Sequence, residues 1–405
     1  MKSDRILFIA PASIPVNGAE AIVNVKLLKL LVSKGYVIDV ISKKATWEHY
    51  PLMQEEELQK ALASVFVIVN DNKMSLRTLW LHFRAWMRFG VLFKGAHWAF
   101  QASRRVKDLV RNNEYKCVIT KNRPSELVGC WAKRKYGIPW IATWNDPYPL
   151  ERYPEPYGKG PAAKLWLLKR PLIKQMSKYP DAHIYPSARL RDYMQRYLKA
   201  DINKTFIIPH IVEPGKKGEK KCDGTLKVCY MGCLDGPRKP WTTIDAINTF
   251  IGRNKDASVR FDFIGTAPEG TREALAEKNL EGTVNVNPPV SYTESMELLQ
   301  KYDVALIIEA PCREGVFLPS KVSDSMAVGM TVFAISPSVG ILHDLYESGY
   351  VNYFADVTDS DSIAAELEHL WSDFASGKLT GSTTPEEYKP EYVVEQYDRI
   401  IEGLE

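Results

Sequence analysis

The 405 residues are 45% hydrophobic, with six cysteines and a net charge of +4, enough apolar material for two cores of ordinary domain size. Cysteines 117, 130, 222, 229, 233 and 312 form no CxxC pair and have no neighbouring histidine, which argues against zinc or disulfides and for reduced thiols in a cytoplasmic protein. The charge is unevenly spread: residues 1–200 hold 34 Lys and Arg against 16 Asp and Glu (+18), residues 201–405 hold 19 against 33 (−14), so two domains with different partners are expected.

In chain order, Met1 to Ala10 run straight into an apolar strand with no basic leader region, so no secretory signal is expected, and no apolar run approaches a membrane span. "RILFIAP" (5–11) predicts a strand and "AEAIVNVKLLKLLVSKG" (19–35) a helix ended by Gly35. The next strand is "VIDVIS" (37–42). Residues 75–111 alternate aromatic and basic side chains. Arg77, Arg84 and Arg88 share one helical stripe, and Leu76, Leu79, Trp80 and Phe83 lie largely to another side. This suits a helix at an anionic membrane interface; a pair of core helices with a solvated basic face is the alternative. "CVIT" (117–120), "WIATW" (140–144) and "AHIYPS" (182–187) predict further strands.

The Gly- and Lys-rich stretch 213–224 marks a domain boundary. Beyond it, "LKVCYMG" (226–232), "VRFDFIG" (259–265), "DVALIIEA" (303–310) and "MTVFAI" (330–335) predict short apolar strands between helices. Repeated β-α-β order implies parallel sheets covered on both faces, hence an α/β chain of two doubly wound domains. We place them at 1–214 and 225–385, with a C-terminal helix (386–405) returning to the first.

Ligands of such sheets bind where strand C-termini meet helix N-termini. Three loops qualify. In "PASIPVNGAE" (11–20), Asn17 and Gly18 let the backbone approach a ligand, though a plain βα turn reads equally well. There is no GxGxxG. In "YMGCLDGPRKPWTTIDAI" (230–247), Arg238 and Lys239 precede a helix starting near Thr242, which suits a diphosphate; a solvated basic loop is the alternative. The third, "EGVFLPSKVSDSMAVGMTVFAI" (314–335), places Glu314, a glycine-bearing turn, Lys321 and Asp324 around a helix N-terminus.

This third stretch resembles the retaining glycosyltransferases of family 4, with the two-lobed GT-B fold, through Glu314, Gly315, Leu318, Pro319, Met326, Ala327 and Gly329. "LPSKVSDSMAVG" follows the family's L-P-S-K variant with Asp324 for its glutamate. "KVCYMGCLDGPRKPWTTIDAI", "FIIPHIV" and "WNDPYP" (144–149) extend the similarity over most of the chain. The resemblance implies two Rossmann-like domains facing a cleft, an N-terminal one for the acceptor and a C-terminal one for the nucleotide-sugar donor. It implies that Glu314 faces the donor sugar. The turn Gly315, Val316, Phe317 and Leu318 would give its backbone N–H groups to the donor phosphates. Asp324 would hold the ribose hydroxyls, Lys321 would reach the diphosphate, and Arg238 would take the position of the family's lysine. Asp146 would be the catalytic residue of the acceptor domain, and Gly18 a donor-binding position.

The chain departs from the family at Cys233, where an arginine is usual, with Lys239 or Lys321 available to compensate. It departs again at Asn145, which stands for a histidine. Glu314 and Asp324 are ten positions apart, a longer spacing than the family's, and Glu309 competes for the role of Glu314. Neither metal nor cofactor is expected, and Asp359-Ser360-Asp361 reads as a helix N-cap. The implied activity is a hexosyl transfer with retention of configuration from a nucleotide sugar to a lipid-linked or surface-polysaccharide acceptor. The enzyme would be cytoplasmic, peripheral at the inner membrane face. A degenerate GT-B assembly subunit and a nucleotide-sugar epimerase are the alternatives. Nucleic acid is not an expected partner, as no helix-turn-helix, zinc or RNP motif is present.

Overall fold

The computed structural model describes residues 4–15, 18–44, 55–69, 75–121, 123–215 and 223–404. Asn17, Cys222 and much of the stretch 213–224 lie outside the described residues. The chain divides into two compact units, the first comprising Met1–Tyr153, Lys159–Ile211 and Pro390–Glu405, the second Pro154–Gly158 and Val212–Lys389.

Unit 1 contains, in order, β1 (Arg5–Ile9), α1 (Ala19–Ser33), β2 (Val37–Lys43), α2 (Glu56–Ala61), β3 (Ser64–Ile68), α3 (Leu76–Phe89), α4 (Ala96–Leu109), β4 (Cys117–Lys121), α5 (Ser125–Tyr136), β5 (Trp140–Thr143), α6 (Pro171–Lys178), β6 (Ala182–Tyr185), α7 (Ala188–Leu198) and β7 (Thr205–Ile207). All seven strands are parallel, in the order β3-β2-β1-β4-β5-β6-β7. Unit 2 contains β8 (Leu226–Met231), α8 (Trp241–Arg253), β9 (Val259–Ile264), α9 (Thr271–Glu277), β10 (Val284–Asn287), α10 (Tyr292–Leu299), β11 (Val304–Ile308), α11 (Ser320–Ala327), β12 (Thr331–Ser336), α12 (Ile341–Glu347), β13 (Tyr353–Asp356) and α13 (Ser360–Ala375). Its parallel sheet runs β10-β9-β8-β11-β12-β13. The last helix, α14 (Pro390–Glu402), packs Val393, Tyr397, Ile400 and Ile401 into the core of unit 1. Tyr36 donates to Asp398 (2.6 Å) and Lys116 to Glu402 (2.6 Å).

Each predicted strand forms, because strands buried on both faces read as unbroken apolar runs. β3, β7, β10 and β13 were not anticipated: β3, β7 and β10 are short, half-exposed edge strands, with little need for such a run. The stretch 75–111 is two helices, separated by Gly90 (φ 67°) and Gly95 (φ 103°), which cap them in left-handed conformation. Asp359 caps α13, accepting from the amides of Asp361 and Ser362 (both 3.0 Å).

The two sheets share one device. Asp39 in β2 is fully buried and accepts from Arg5 Nε (2.6 Å), Tyr115 (2.6 Å) and Ser64 on β3. Asp262 in β9 is likewise buried and accepts from Tyr302 (2.9 Å), Arg260 and Asn285 on β10 (3.0 Å). Tyr115 and Tyr302 each stand two residues before the strand at which their sheet's order reverses, β4 and β11. Each carboxylate thus ties the second strand of its unit across the first to the reversing strand.

Burial alone would raise the Asp39 pKa, but hydrogen bonds from Arg5, Ser64 and Tyr115 outweigh it and hold it below the ordinary carboxylate value. Asp39→Asn should therefore lower stability by roughly 3 kcal/mol, because Arg5 and Tyr115 lose a buried charged partner. A depressed carboxyl pKa stabilises above the unfolded value and is lost as pH falls through the folded one. Urea midpoints of wild type and variant should differ at neutral pH and converge in strong acid; a gap that persists in acid would contradict this.

Candidate active site

In both units the strand order reverses beside the first strand, between β1 and β4 and between β8 and β11. Loops leaving those strands diverge there and open a crevice at their C-terminal ends. In unit 2 the chain leaves β8 at Gly232, with φ 136°. A Cβ on Gly232 would lie 2.4 Å from Cε and 2.6 Å from Nζ of Lys321. Gly265, leaving β9 with φ 142°, approaches so closely that its Cβ would meet the Gly232 carbonyl at 1.9 Å. Conformation requires both glycines, and at Gly265 the facing backbone leaves no space for a side chain either.

That absence of side chains lets Lys321, in the first turn of α11, reach across to β8. Its Nζ donates to the Tyr230 hydroxyl (3.0 Å) and stands 4.5 Å from the ring centroid. The Tyr230 hydroxyl donates to the Cys233 carbonyl (3.0 Å). On the loop before α8, Arg238 Nη2 binds both carboxylate oxygens of Glu309 at 3.0 and 3.1 Å. Glu309 directly follows β11 and is 6% exposed. Burial opposes the charge on Arg238, but Glu309, with Tyr230 and Tyr157, raises its pKa further above the ordinary value. The guanidinium is permanently charged and its Nε is buried without a hydrogen-bond partner among the described residues.

The other predicted residues of unit 2 are placed as follows. Asp324, on α11, accepts from the Tyr292 hydroxyl (2.8 Å). Glu314 is half-buried, and Lys239 is exposed. The Gly315 amide donates to the Val339 carbonyl (2.8 Å) and its carbonyl accepts from Ile341 (2.9 Å), so that amide is committed inside the unit. Val316 and Leu318 turn their side chains inward, at 0% and 5% exposure. The Phe317 ring meets Tyr157 edge-on at 5.3 Å. Pro319 caps α11 without a side-chain hydrogen bond. The carboxylate paired with Arg238 is thus Glu309, the competitor that the sequence offered to Glu314.

Gly18 and Asp146 belong to unit 1. Gly18 is the N-cap of α1 with φ 90°, and a Cβ there would meet nothing within 4 Å; conformation rather than close approach accounts for it. Asp146 lines a cavity of about 240 Å³ with Glu20, Arg123, Glu126, Tyr148 and Tyr153. Burial, then the Asp146 charge, pushes the Glu20 carboxyl well above its ordinary value, against Arg123 and Lys121. Burial lowers Lys121 to about 8, with Glu20 opposing. Burial also raises Glu126 to about 7, and its Oε1 has no hydrogen-bond partner among the described residues. Glu20, Lys121, Arg123 and Glu126 were missed in the sequence; Glu20 lies in the first turn of α1, Lys121 ends β4, Arg123 follows it and Glu126 lies in the first turn of α5. Among the described residues no group of three or more His, Cys, Asp or Glu is placed to hold a metal ion.

A carboxyl whose folded pKa is raised loses stability as pH climbs from the unfolded to the folded value. Glu126 should therefore cost roughly 3 kcal/mol between acid and mildly alkaline pH, and Glu126→Gln should remove that decline. Urea midpoints across this range measure it; parallel curves for wild type and variant would refute the assignment.

Comparison with known proteins adds to this geometry. Residues 21–216 match the sequence profile described as Glycosyltransferase Family 4. No curated relative matches the sequence closely enough to be aligned with it. Among solved structures, sucrose-phosphate synthase from Thermosynechococcus elongatus is similar at 14% identity, with 99% of this chain and 98% of that one covered and a TM-score of 0.70. Anabaena HepE, in complex with UDP and glucose, is similar at 13% identity over 98% and 99% of the two chains, with a TM-score of 0.66. TarM is similar at 11% identity over 98% of each, also with a TM-score of 0.66. The chain has the GT-B fold, and the match to Glycosyltransferase Family 4 falls mainly on its N-terminal unit.

Proposed function

We propose that the protein is a retaining glycosyltransferase of the hexosyltransferase type, carrying a sugar from a nucleotide-sugar donor to a lipid-linked or surface-polysaccharide acceptor. The observation that carries this reading is the pairing of Arg238 with Glu309 beside Lys321, at the reversal point of the second sheet. Two fixed cations at strand C-termini, next to an uncapped helix N-terminus, favour a diphosphate. HepE, of like fold, is described in complex with UDP-glucose and with UDP.

In this reading the diphosphate lies against Lys321, Arg238 and the first turn of α11, with Lys239 as an outer cation. Departure of the nucleoside diphosphate leaves its bonding pair on the phosphate oxygen, and those charges lower the cost. Glu309 fixes the Arg238 guanidinium, Asp324 accepts from the ribose hydroxyls, and Glu314 with the turn to Leu318 bounds the sugar. Unit 1 takes the acceptor, whose attacking hydroxyl is aligned by Asp146; as its oxygen bonds to the anomeric carbon, its proton passes to the departing phosphate oxygen. Entry on the face the nucleotide leaves retains the configuration. The cations supply the charge stabilisation, so no metal is required.

Arg238→Ala should reduce turnover about 10²-fold, the loss expected for one preorganised electrostatic stabiliser. It also strands the Glu309 carboxylate, so stability should fall as well. Adding Glu309→Gln should restore the urea midpoint but not turnover. Recovery of both would make the pair structural only. Asp324→Ala should mainly weaken nucleoside diphosphate binding, and activity should survive EDTA; loss to EDTA with rescue by Mn²⁺ would contradict the metal-free mechanism.

We also propose peripheral attachment to the cytoplasmic face of a membrane through α3. The helix buries only Thr78, Ala85 and Phe89, while Leu76, Met87, Phe83 and Trp80 are 86%, 65%, 54% and 53% exposed. A core helix would show the reverse, so the apolar arc supports the interfacial reading. Among the described residues no helix is long and apolar enough to cross a membrane. Trp80→Ser with Phe83→Ser should release the protein from phosphatidylcholine–phosphatidylglycerol vesicles in sedimentation, and raising salt should weaken wild-type binding. Binding indifferent to both would refute this attachment.

A further inference from the structure

A second cavity of unit 1, about 230 Å³, is lined by Arg88 of α3, Trp131, Arg134 and Lys135 of α5, and Gln175 of α6. At roughly 30 Å³ per liquid water, it has room for several waters or one substituted phosphate. Its cations come from two helices that the fold packs around α4. Arg88 Nη1 donates to Ser103 (2.5 Å), and its guanidinium stands 4.5 Å from the Phe100 ring and 5.1 Å from the Trp131 ring. Lys135 Nζ stands 5.5 Å from the same Trp131 ring. Gln175 is anchored through its Nε2 to the Phe89 carbonyl (2.7 Å).

Among the described residues none of Arg84, Arg88, Arg104, Arg134 and Lys135 forms an ion pair with a carboxylate. The carboxylates whose charge reaches this neighbourhood, Asp108 beside Tyr136 and Glu126 beside Cys130, do not line the cavity. Burial, then the Arg84 charge, lowers the Arg88 pKa, as expected of clustered cations without counter-charge. The stripe Arg77, Arg84, Arg88 adjoins the exposed apolar arc of α3. Beyond the end of α3, Leu92 donates to the Leu168 carbonyl (3.0 Å), which brings exposed Trp166 and Leu167 alongside.

We propose that this cavity is a headgroup site for an anionic phospholipid, whose phosphate is held by Arg88, Arg134 and Lys135 and whose acyl chains follow the apolar arc of α3. Guanidinium groups bind phosphate through paired N–H donors, which a diffuse basic surface does not provide. The apolar arc distinguishes a lipid from a free anion, since only an amphiphile satisfies cavity and arc together. The proposal rests on the membrane attachment above, not on the transfer chemistry.

Calorimetric titration of the full chain with dihexanoyl phosphatidylglycerol, below its micelle concentration, tests the site directly, with inorganic phosphate and dihexanoyl phosphatidylcholine as comparisons. The anionic lipid should bind saturably and about tenfold or more tighter than either. Arg134→Gln with Lys135→Gln, two exposed positions, should abolish that preference, whereas the charge-matched Lys199→Gln with Lys204→Gln should not. Equal binding of phosphate and lipid would make this a free-anion site and overturn the proposal. Equal loss in both double variants would reduce it to general surface charge, with the same consequence. Self-association that buries the α3 arc and leaves no lipid binding would assign the face to a second copy. Nucleotide-sugar hydrolysis by the wild-type protein tests the transferase reading separately, and release from vesicles by the Trp80 and Phe83 substitutions tests the attachment.

Discussion

A buried carboxylate in the second strand of each sheet is the constraint on which the two units depend. Asp39 and Asp262 are each held by an arginine and by a tyrosine placed just before the reversing strand. A parallel sheet has no hairpins to set its register, and a one-residue slip would turn every side chain to the other face. Here a slip of β4 or β11 would also strand a buried charge. Apolar burial makes the strands, but these polar straps fix their alignment, and alignment positions the loops at the opposite ends.

Those opposite ends carry different electrostatics in the two units. In unit 2 the cationic side chains are fixed in place: Arg238 is held by Glu309, and Lys321 leans on Tyr230. Such a site suits a ligand whose charge is permanent. In unit 1 the cavity beside β4 holds groups that burial moves toward neutrality, Glu20 and Glu126 upward and Lys121 downward. Burial thus gathers ionisable groups with displaced pKa values in that cavity. Strand order is the same around the reversal in both units; the residues planted there differ.

Most of this fold was legible in the sequence because doubly buried strands leave a plain signal, and the central strands of both sheets leave it. The edges were not: "VNVN" at β10 has two apolar residues in four and reads as loop. Candidate residues adjacent in the chain, such as the run from Glu314 to Asp324, could be named from the sequence alone. The site was not legible where the fold makes the pair. Arg238 and Glu309 come from loops after different strands, β8 and β11, and only the neighbouring of those strands brings the two side chains together. Asp39 and Asp262 sit in plain view in "VIDVIS" and "VRFDFI", yet a lone aspartate in a strand reads as an interruption unless its tyrosine partner is known.

The basic excess of residues 1–200 acquires a location once burial is known. An amphipathic helix ordinarily turns its apolar arc to the core, and periodicity alone cannot say which way it faces. In α3 the small contact set of Thr78, Ala85 and Phe89 meets the unit, and the arginine stripe lies between that contact and the exposed arc. Arg84 and Arg88 fold back over Trp80, Phe100 and Trp131 instead of extending into water. Stacking on aromatic rings reduces their hydration cost and holds them without carboxylate partners. Charge held in this way remains available to an external anion, at the border of an apolar surface. The asymmetry of the sequence thus becomes, in the fold, a basic margin beside an apolar face, while Arg238 and Lys321 in the acidic half are engaged by Glu309 and Tyr230.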